Sequence, residues 1–152
     1  MTLIVLDTNV LINADRGEFS HGKRLVGLVQ RGKVRAVTSH AVRRENELII
    51  GRLVHDQRLK AELKTYLELA EEVAPAQVQV SLEDSEDVKL LAAAVGGAAQ
   101  FLITDDRHLL QVEEYRGVRV VTPAQFWQWW QATQDEAGET WGSWAANLFG
   151  QR

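Results

Sequence analysis

Short apolar runs alternate along this chain with segments whose apolar positions recur every three or four residues, and that alternation predicts the architecture. Leu3, Ile4, Val5 and Leu6 form the first run, which ends in Asp7-Thr8-Asn9. Further runs at 34–38, 77–80, 100–104 and 118–121 are short, apolar or β-branched, and mostly bounded by Gly, Pro or polar residues. These are the marks of strands, with 77–80 carrying them most faintly. Helical periodicity occupies about 9–15, 22–31, 41–54, 57–73, 86–95 and 124–132. Gly32, Gly51, Gly96 and Gly97 act as stop signals and Pro123 as a start. Strands alternating with helices predict an α/β sandwich around a mostly parallel central sheet. Residues 1–132 read as one domain, with no internal repeat or low-complexity linker.

Residues 133–152 form a distinct tail, in which a polar Gln-Asp-Glu-Ala-Gly-Glu stretch precedes Trp141, Trp144 and Leu148 at helical spacing. All five tryptophans follow residue 126. Trp127, Trp129 and Trp130 are expected to cap the core, the usual fate of a large aromatic. The Trp141/Trp144/Leu148 stripe packs on its own domain or docks on another chain.

With 152 residues and no cysteine, the chain is one domain that lacks disulfides and thiolate metal sites, so any metal is held by oxygen or histidine. No apolar run approaches a membrane span and no basic segment precedes a long apolar core, so a cytoplasmic protein without membrane contact is expected. The net charge of -4 hides an asymmetry. Residues 1–64 hold 12 Lys/Arg against 7 Asp/Glu, and residues 65–152 hold 5 against 14. A basic face beside an acidic pocket suits a phosphate-chain substrate cut at a carboxylate-bound cation, and ordinary solvated helix faces give the same tally.

Four acidic positions stand out. Asp7 ends what should be the central strand, at the edge where open α/β sheets bind ligands. Glu45 lies within a helical pattern, Asp87 near a helix start, and Asp106 just past the strand Phe101-Leu102-Ile103-Thr104. Each has a structural explanation taken singly, as helix cap, first-turn acid, turn residue or solvated face. Jointly they read as oxygen ligands for magnesium or manganese, cations that suit a thiolate-free carboxylate site. Such a site activates water for in-line attack on a phosphodiester.

The motifs Val5-Leu6-Asp7-Thr8-Asn9-Val10-Leu11-Ile12, Ser39 to Glu45, Asp84-Ser85-Glu86-Asp87 and Leu102 to Leu110, closed by Arg119 to Phe126, resemble in order and spacing those of PIN-domain proteins. The nearest branch is that of toxins from bacterial toxin-antitoxin pairs, the VapC-like ribonucleases. This resemblance spans about residues 3–126. It implies a three-layer α/β/α sandwich and a metal-dependent endoribonuclease, with Asp7, Glu45, Asp87 and Asp106 as catalytic acids. Asp7, Asp87 and Asp106 would be the core metal ligands, with Asn9 and Thr104 in support and Asp84 as ligand or cap. Asp105 stands beside Asp106 where the branch often has Gly or Asn, which leaves the choice between the two open. The resemblance further implies an RNA substrate, an antitoxin protein as partner, and a homodimer. It gives the Trp-rich tail no role.

Arg43 and Arg44, adjacent to Glu45, are the better candidates to hold RNA, ahead of Arg16, Lys23 and Arg24; each is equally a solvated structural arginine. His21, His40, His55 and His108 show no paired metal-ligand spacing. Gly96-Gly97 ends a helix and does not open one, so it is a poor phosphate loop, and no Walker or dinucleotide fingerprint occurs. Asn9 stands where an aspartyl-phosphate phosphatase needs a second acid. The rival to the nuclease is a binding or assembly module that keeps the fold and engages a partner through the tail.

Overall fold

Burial on both faces explains the unbroken apolar run at the start of the chain. Strand β1 (Leu3–Leu6) sends Ile4 and Leu6 into one core cluster and Val5 into the other. The computed structural model describes residues 1–14, 20–135 and 145; the Trp141/Trp144/Leu148 stripe lies outside them. After β1 come α1 (Thr8–Ile12), α2 (His21–Gln30), β2 (Arg35–Thr38), α3 (His40–Leu53), α4 (Gln57–Leu69) and β3 (Glu71–Glu72). The second half is α5 (Ser85–Gly96), β4 (Phe101–Ile103), α6 (Arg107–Leu110), β5 (Glu114–Tyr115), β6 (Val118–Val121) and α7 (Pro123–Asp135).

The strands form one sheet in the order β3-β2-β1-β4-β6-β5. All neighbours are parallel except β5 and β6, an antiparallel hairpin. That hairpin turns through Arg116 and Gly117, both at positive φ (49° and 84°), the conformation a tight two-residue loop demands. On one face α1, α2, α4 and α7 pack through Leu11, Leu25, Leu63 and Phe126; on the other, α5 and α6 pack through Leu91 and Leu109. Helix α3 serves both clusters, with Ile50 in the first and Val42 in the second. The result is a three-layer α/β/α sandwich. Trp129 is buried against Phe101, ring centroids 4.7 Å apart, while Trp127 and Trp130 pack partly buried on the same cluster.

Polar side chains fix where the helices begin. Ser20, Ser39, Asp56 and Asp84 each accept a backbone N–H from the first turn of α2, α3, α4 and α5, which satisfies donors that have no intrahelical partner.

The structure departs from the sequence expectations at several elements. Residues 77–80 are not a strand. Ala76, Val78 and Val80 are half-buried and their neighbours exposed, so the period of two is real, but this stretch bonds elsewhere. Ala76 N donates to the helical Ala92 O at 3.0 Å, and Gln79 N donates to Tyr115 Oη at 3.1 Å. The edge strand is instead β3, made of two glutamates, a residue type depleted in strands. Its formation ends α4 at Leu69 and not near 73: Glu71 pairs with Arg35 across from β2, and Arg43 donates to the carbonyls of Leu67 and Ala70. Gly51 lies inside α3 and stops nothing. Helix α1 is shorter than expected, and α7 starts one residue earlier and ends three later.

Candidate active site

The chain passes from β1 to β2 on one side of β1 and returns later to β4 on the other. This reversal opens a crevice at the carboxyl ends of β1 and β4, the place where ligands bind in open α/β sheets. Asp7 follows β1 directly, and Thr104, Asp105 and Asp106 follow β4. Helices α3 and α5 bring Glu45 and Asp87 to the same crevice.

There a cavity of about 230 Å³ is lined by Asp7, Thr8, Asn9, Glu45, Asp84, Glu86, Asp87 and Asp106, with an apolar wall of Val42, Ile49, Leu53 and Leu90. Four predicted catalytic acids therefore border one space, together with Asp84 and Asn9. Thr104 lies directly beneath them, fully buried. Asp105 is exposed and lines a different depression with Asn13, Ser20 and His21, so of the two adjacent acids it is Asp106 that borders the carboxylate cavity. Asp84, Asp87 and Asp106 also border a second hollow that contains His108 and Gln111.

Three of the acids, Asp7, Asp84 and Asp106, are oriented by the backbone that follows them. Asp7 caps α1, its Oδ1 accepting from Asn9 N at 3.4 Å, and Oδ2 accepts from Thr104 Oγ1 at 2.7 Å. Asp106 caps α6 through Oδ1, which accepts from His108 N and Leu109 N. Asp84 caps α5, accepting from Glu86 N at 2.8 Å. For Asp84 and Asp106 the cap and site readings are compatible, because a carboxylate that caps through one oxygen keeps the other for the cavity; Asp7, with both oxygens already accepting, has only their remaining lone pairs to offer.

Burial, and after it the neighbouring charges, raises the pKa of the two most buried acids. Asp87, 5% exposed, is pushed up to about 6, chiefly by desolvation and then by the charges of Asp106, Asp84 and Asp7. Burial also raises Asp7, assisted by Asp106, against the hydrogen bonds from Thr104 and Asn9 that favour its charged form. Among the described residues no three acidic or histidine side chains close into a ligand cage. The donor set is nonetheless all oxygen, and its ionisation is opposed by its own charge. A hard divalent cation that keeps several waters and takes a few direct carboxylates fits such a set.

The family model described as "PIN domain" matches residues 3–108, which includes every one of these acids. The chain belongs to the PIN-domain family. No individual curated protein and no solved structure matches it. PIN domains are generally nucleases, and a site of convergent carboxylates at the sheet's switch point is what that activity needs. The matched span ends before β6 and α7, so the family match does not extend to the 119–126 motif.

Two residues of α3, Arg43 and Asn46, are engaged within the fold. Arg43 is tied into the fold: its guanidinium donates to Leu67 O and, at 2.7 Å, to Ala70 O, and its Nε lies 3.8 Å from Glu72. Arg44 is exposed on the same helix. Sequence reading gave no role to Asn46, which is 2% exposed and donates through Nδ2 to Thr8 Oγ1 at 2.8 Å. In sequence, an amide inside the charged stretch Arg43 to Glu47 is indistinguishable from a solvated one. The signal that marks it is its place four residues from both Val42 and Ile50, on the buried side of α3.

Proposed function

We propose that the protein is a magnesium- or manganese-dependent endoribonuclease that hydrolyses the phosphodiesters of single-stranded RNA. The observation that carries this reading is the single cavity bordered by Asp7, Glu45, Asp87 and Asp106, two of them joined beneath by Thr104. In this reading Asp7, Asp87 and Asp106 hold the cation, with Glu45 completing the acidic ring and Asp84 at its edge. Bound there, a divalent cation supplies activation of water and neutralisation of charge on the phosphoryl oxygens.

The chain's own groups do the remaining work. Thr104 keeps the Asp7 carboxylate aimed at the cavity, and the Asp106 cap fixes the second acid by two backbone bonds. Asn9 offers an amide at the rim. Val42, Ile49, Leu53 and Leu90 form an apolar wall that an unstacked base or sugar can lie against. Exposed Arg44 is the basic residue we assign to the RNA backbone.

The biological role we assign is that of a toxin held in check by an antitoxin protein, acting as a homodimer in the cytoplasm. Resemblance to the VapC-like branch supports it. No helix among the described residues is long and apolar enough to cross a membrane.

Cleavage of a labelled single-stranded RNA, with manganese, with magnesium and with chelator, tests the enzymatic reading in wild type, Asp7→Asn and Asp106→Asn. Metal-dependent cutting that both substitutions abolish is expected. Equal cutting by all three proteins indicates a contaminating nuclease, and no cutting with either metal transfers the weight to a PIN-fold binding module.

A further inference from the structure

The cavity is rich in acceptors and poor in donors. Of the polar side chains that line it, all are carboxylates except Thr8 and Asn9. A phosphodiester brings non-bridging oxygens that only accept, so a cavity that receives one needs donors of its own beside any cation.

Asn46 determines what Thr8 can do. A side-chain amide nitrogen donates and cannot accept, so at 2.8 Å from Asn46 Nδ2 the Thr8 oxygen is the acceptor. The single hydrogen of the Thr8 hydroxyl is not consumed by that bond. Among the described residues no hydrogen-bond acceptor is assigned to it. Donation from a buried amide also polarises the hydroxyl and strengthens the next bond in the chain. Asn46 is nearly fully buried and sits beside Glu45 on α3, so the arrangement ties the helix bearing one acid to the residue that follows Asp7.

We propose that the Thr8 hydroxyl donates to a non-bridging oxygen of the bound phosphodiester, and that Asn46 is the positioning residue that points that donor into the cavity. The inference rests on the nuclease reading. It assigns Thr8 to substrate binding and to the charge that grows on the phosphoryl oxygens during attack, a type of stabilisation often worth ~10²-fold when a single donor is removed.

The experiment uses the full chain and a short RNA with one scissile linkage, synthesised as phosphate and as separate Rp and Sp phosphorothioates, with manganese present. Wild type, Thr8→Val, Thr8→Ser and Asn46→Ala are compared by kcat/KM and by thermal midpoint. Thr8→Val is expected to lose about 10- to 100-fold, and Thr8→Ser to stay within a few-fold of wild type. The ratio of phosphate to phosphorothioate rate should shrink for one diastereomer only, in Thr8→Val and, less fully, in Asn46→Ala, because sulfur accepts a hydrogen bond poorly. A structural role alone lowers the midpoint and leaves both ratios as in wild type; that result overturns the proposal, as does Thr8→Val cleaving within twofold of wild type. If wild type itself fails to cut with either metal, the nuclease reading falls and this inference with it, whereas wild-type cutting with unchanged ratios sinks the inference alone.

Discussion

Thr104 and Asp7 are joined by a buried hydrogen bond, Oγ1 donating to Oδ2 at 2.7 Å, while the same Thr104 oxygen accepts from Asp106 N at 2.9 Å. One hydroxyl therefore fixes two acids that follow different strands, Thr104 itself lying 97 residues from Asp7. Its single proton is committed to Asp7, which fixes that carboxylate's orientation without a cation. Thr104→Val keeps the shape and removes both bonds. It should lower stability by about 1–3 kcal/mol, since it leaves a buried carboxylate oxygen and a backbone N–H without partners. Metal-dependent cleavage should fall by about 10- to 100-fold, the usual cost of losing a group that orients a metal ligand. Thr104→Ser, which retains the hydroxyl, should recover most of both; urea titration and cleavage assays read the two effects separately.

Arg43 and Arg44 are neighbours in sequence and opposites in role. The Arg43 guanidinium closes the carboxyl end of α4 by bonding carbonyls that have no helical partner. Arg43→Ala should destabilise the fold by about 1–3 kcal/mol. At temperatures where the variant is folded, its RNA affinity should match wild type. Arg44→Ala should do the reverse, with little change in stability and a shallower dependence of RNA binding on salt, by about one counterion. Filter binding across a salt series distinguishes them, and an Arg43→Ala protein that is stable but binds RNA poorly would contradict the assignment.

Much of this was readable from the chain because burial on both faces leaves a plain signature. The run Leu3 to Leu6 reads as a central strand since every residue from Ile4 onward is enclosed, and the polar Asp7 that interrupts it then marks the sheet edge. Asp87 and Asp106 follow from helix-start and strand-end signals that coincide with the site. What escaped were features decided by tertiary partners. Val78 and Val80 have strand periodicity without a neighbouring strand, and Glu71-Glu72 form a strand by pairing with β2, where Arg35, His40 and Arg43 face their carboxylates. Asn46 escaped because a buried amide and a solvated one look the same in sequence until the packing of the helix is known.

Glycine substitutions offer a test of how tightly the segment leading to Asp84 is held. A Cβ at Gly96 would sit 2.1 Å from Ala74 O and 2.9 Å from Ala76 N, both backbone atoms that cannot swing aside. Gly96→Ala should therefore cost about 1–3 kcal/mol, the range for overpacking. Gly51 has nothing within 4 Å and lies in an exposed stretch of α3. Gly51→Ala should stabilise by about 0.4–1 kcal/mol through the unfolded chain. Chemical denaturation of the two variants gives the comparison, and a neutral Gly96→Ala would mean that residues 74–76 do not pack on α5 as described.

The raised acids predict an unusual pH dependence in chelator. Asp87 ionises at about 6 in the folded protein and at about 3.8 when unfolded, so between those values the folded state carries the extra proton. Stability contributed by this group then falls as pH rises through that window and stays low above it; the raised Asp7 acts in the same direction. Asp87→Asn removes the penalty, and in chelator at neutral pH the variant should be more stable than wild type by about 1 kcal/mol after allowance for solvent screening. At pH 4 the two proteins should converge, because Asp87 is then neutral in the fold. Manganese should reverse the order at neutral pH: a cation that binds the folded carboxylates raises the wild-type midpoint by mass action, and the variant lacks one of its ligands. Thermal midpoints from pH 4 to 8, with chelator and with manganese, read the difference between the two proteins. A wild type that equals Asp87→Asn at every pH in chelator would show that neither burial nor the neighbouring charges penalise the ionised Asp87, against the assignment made here.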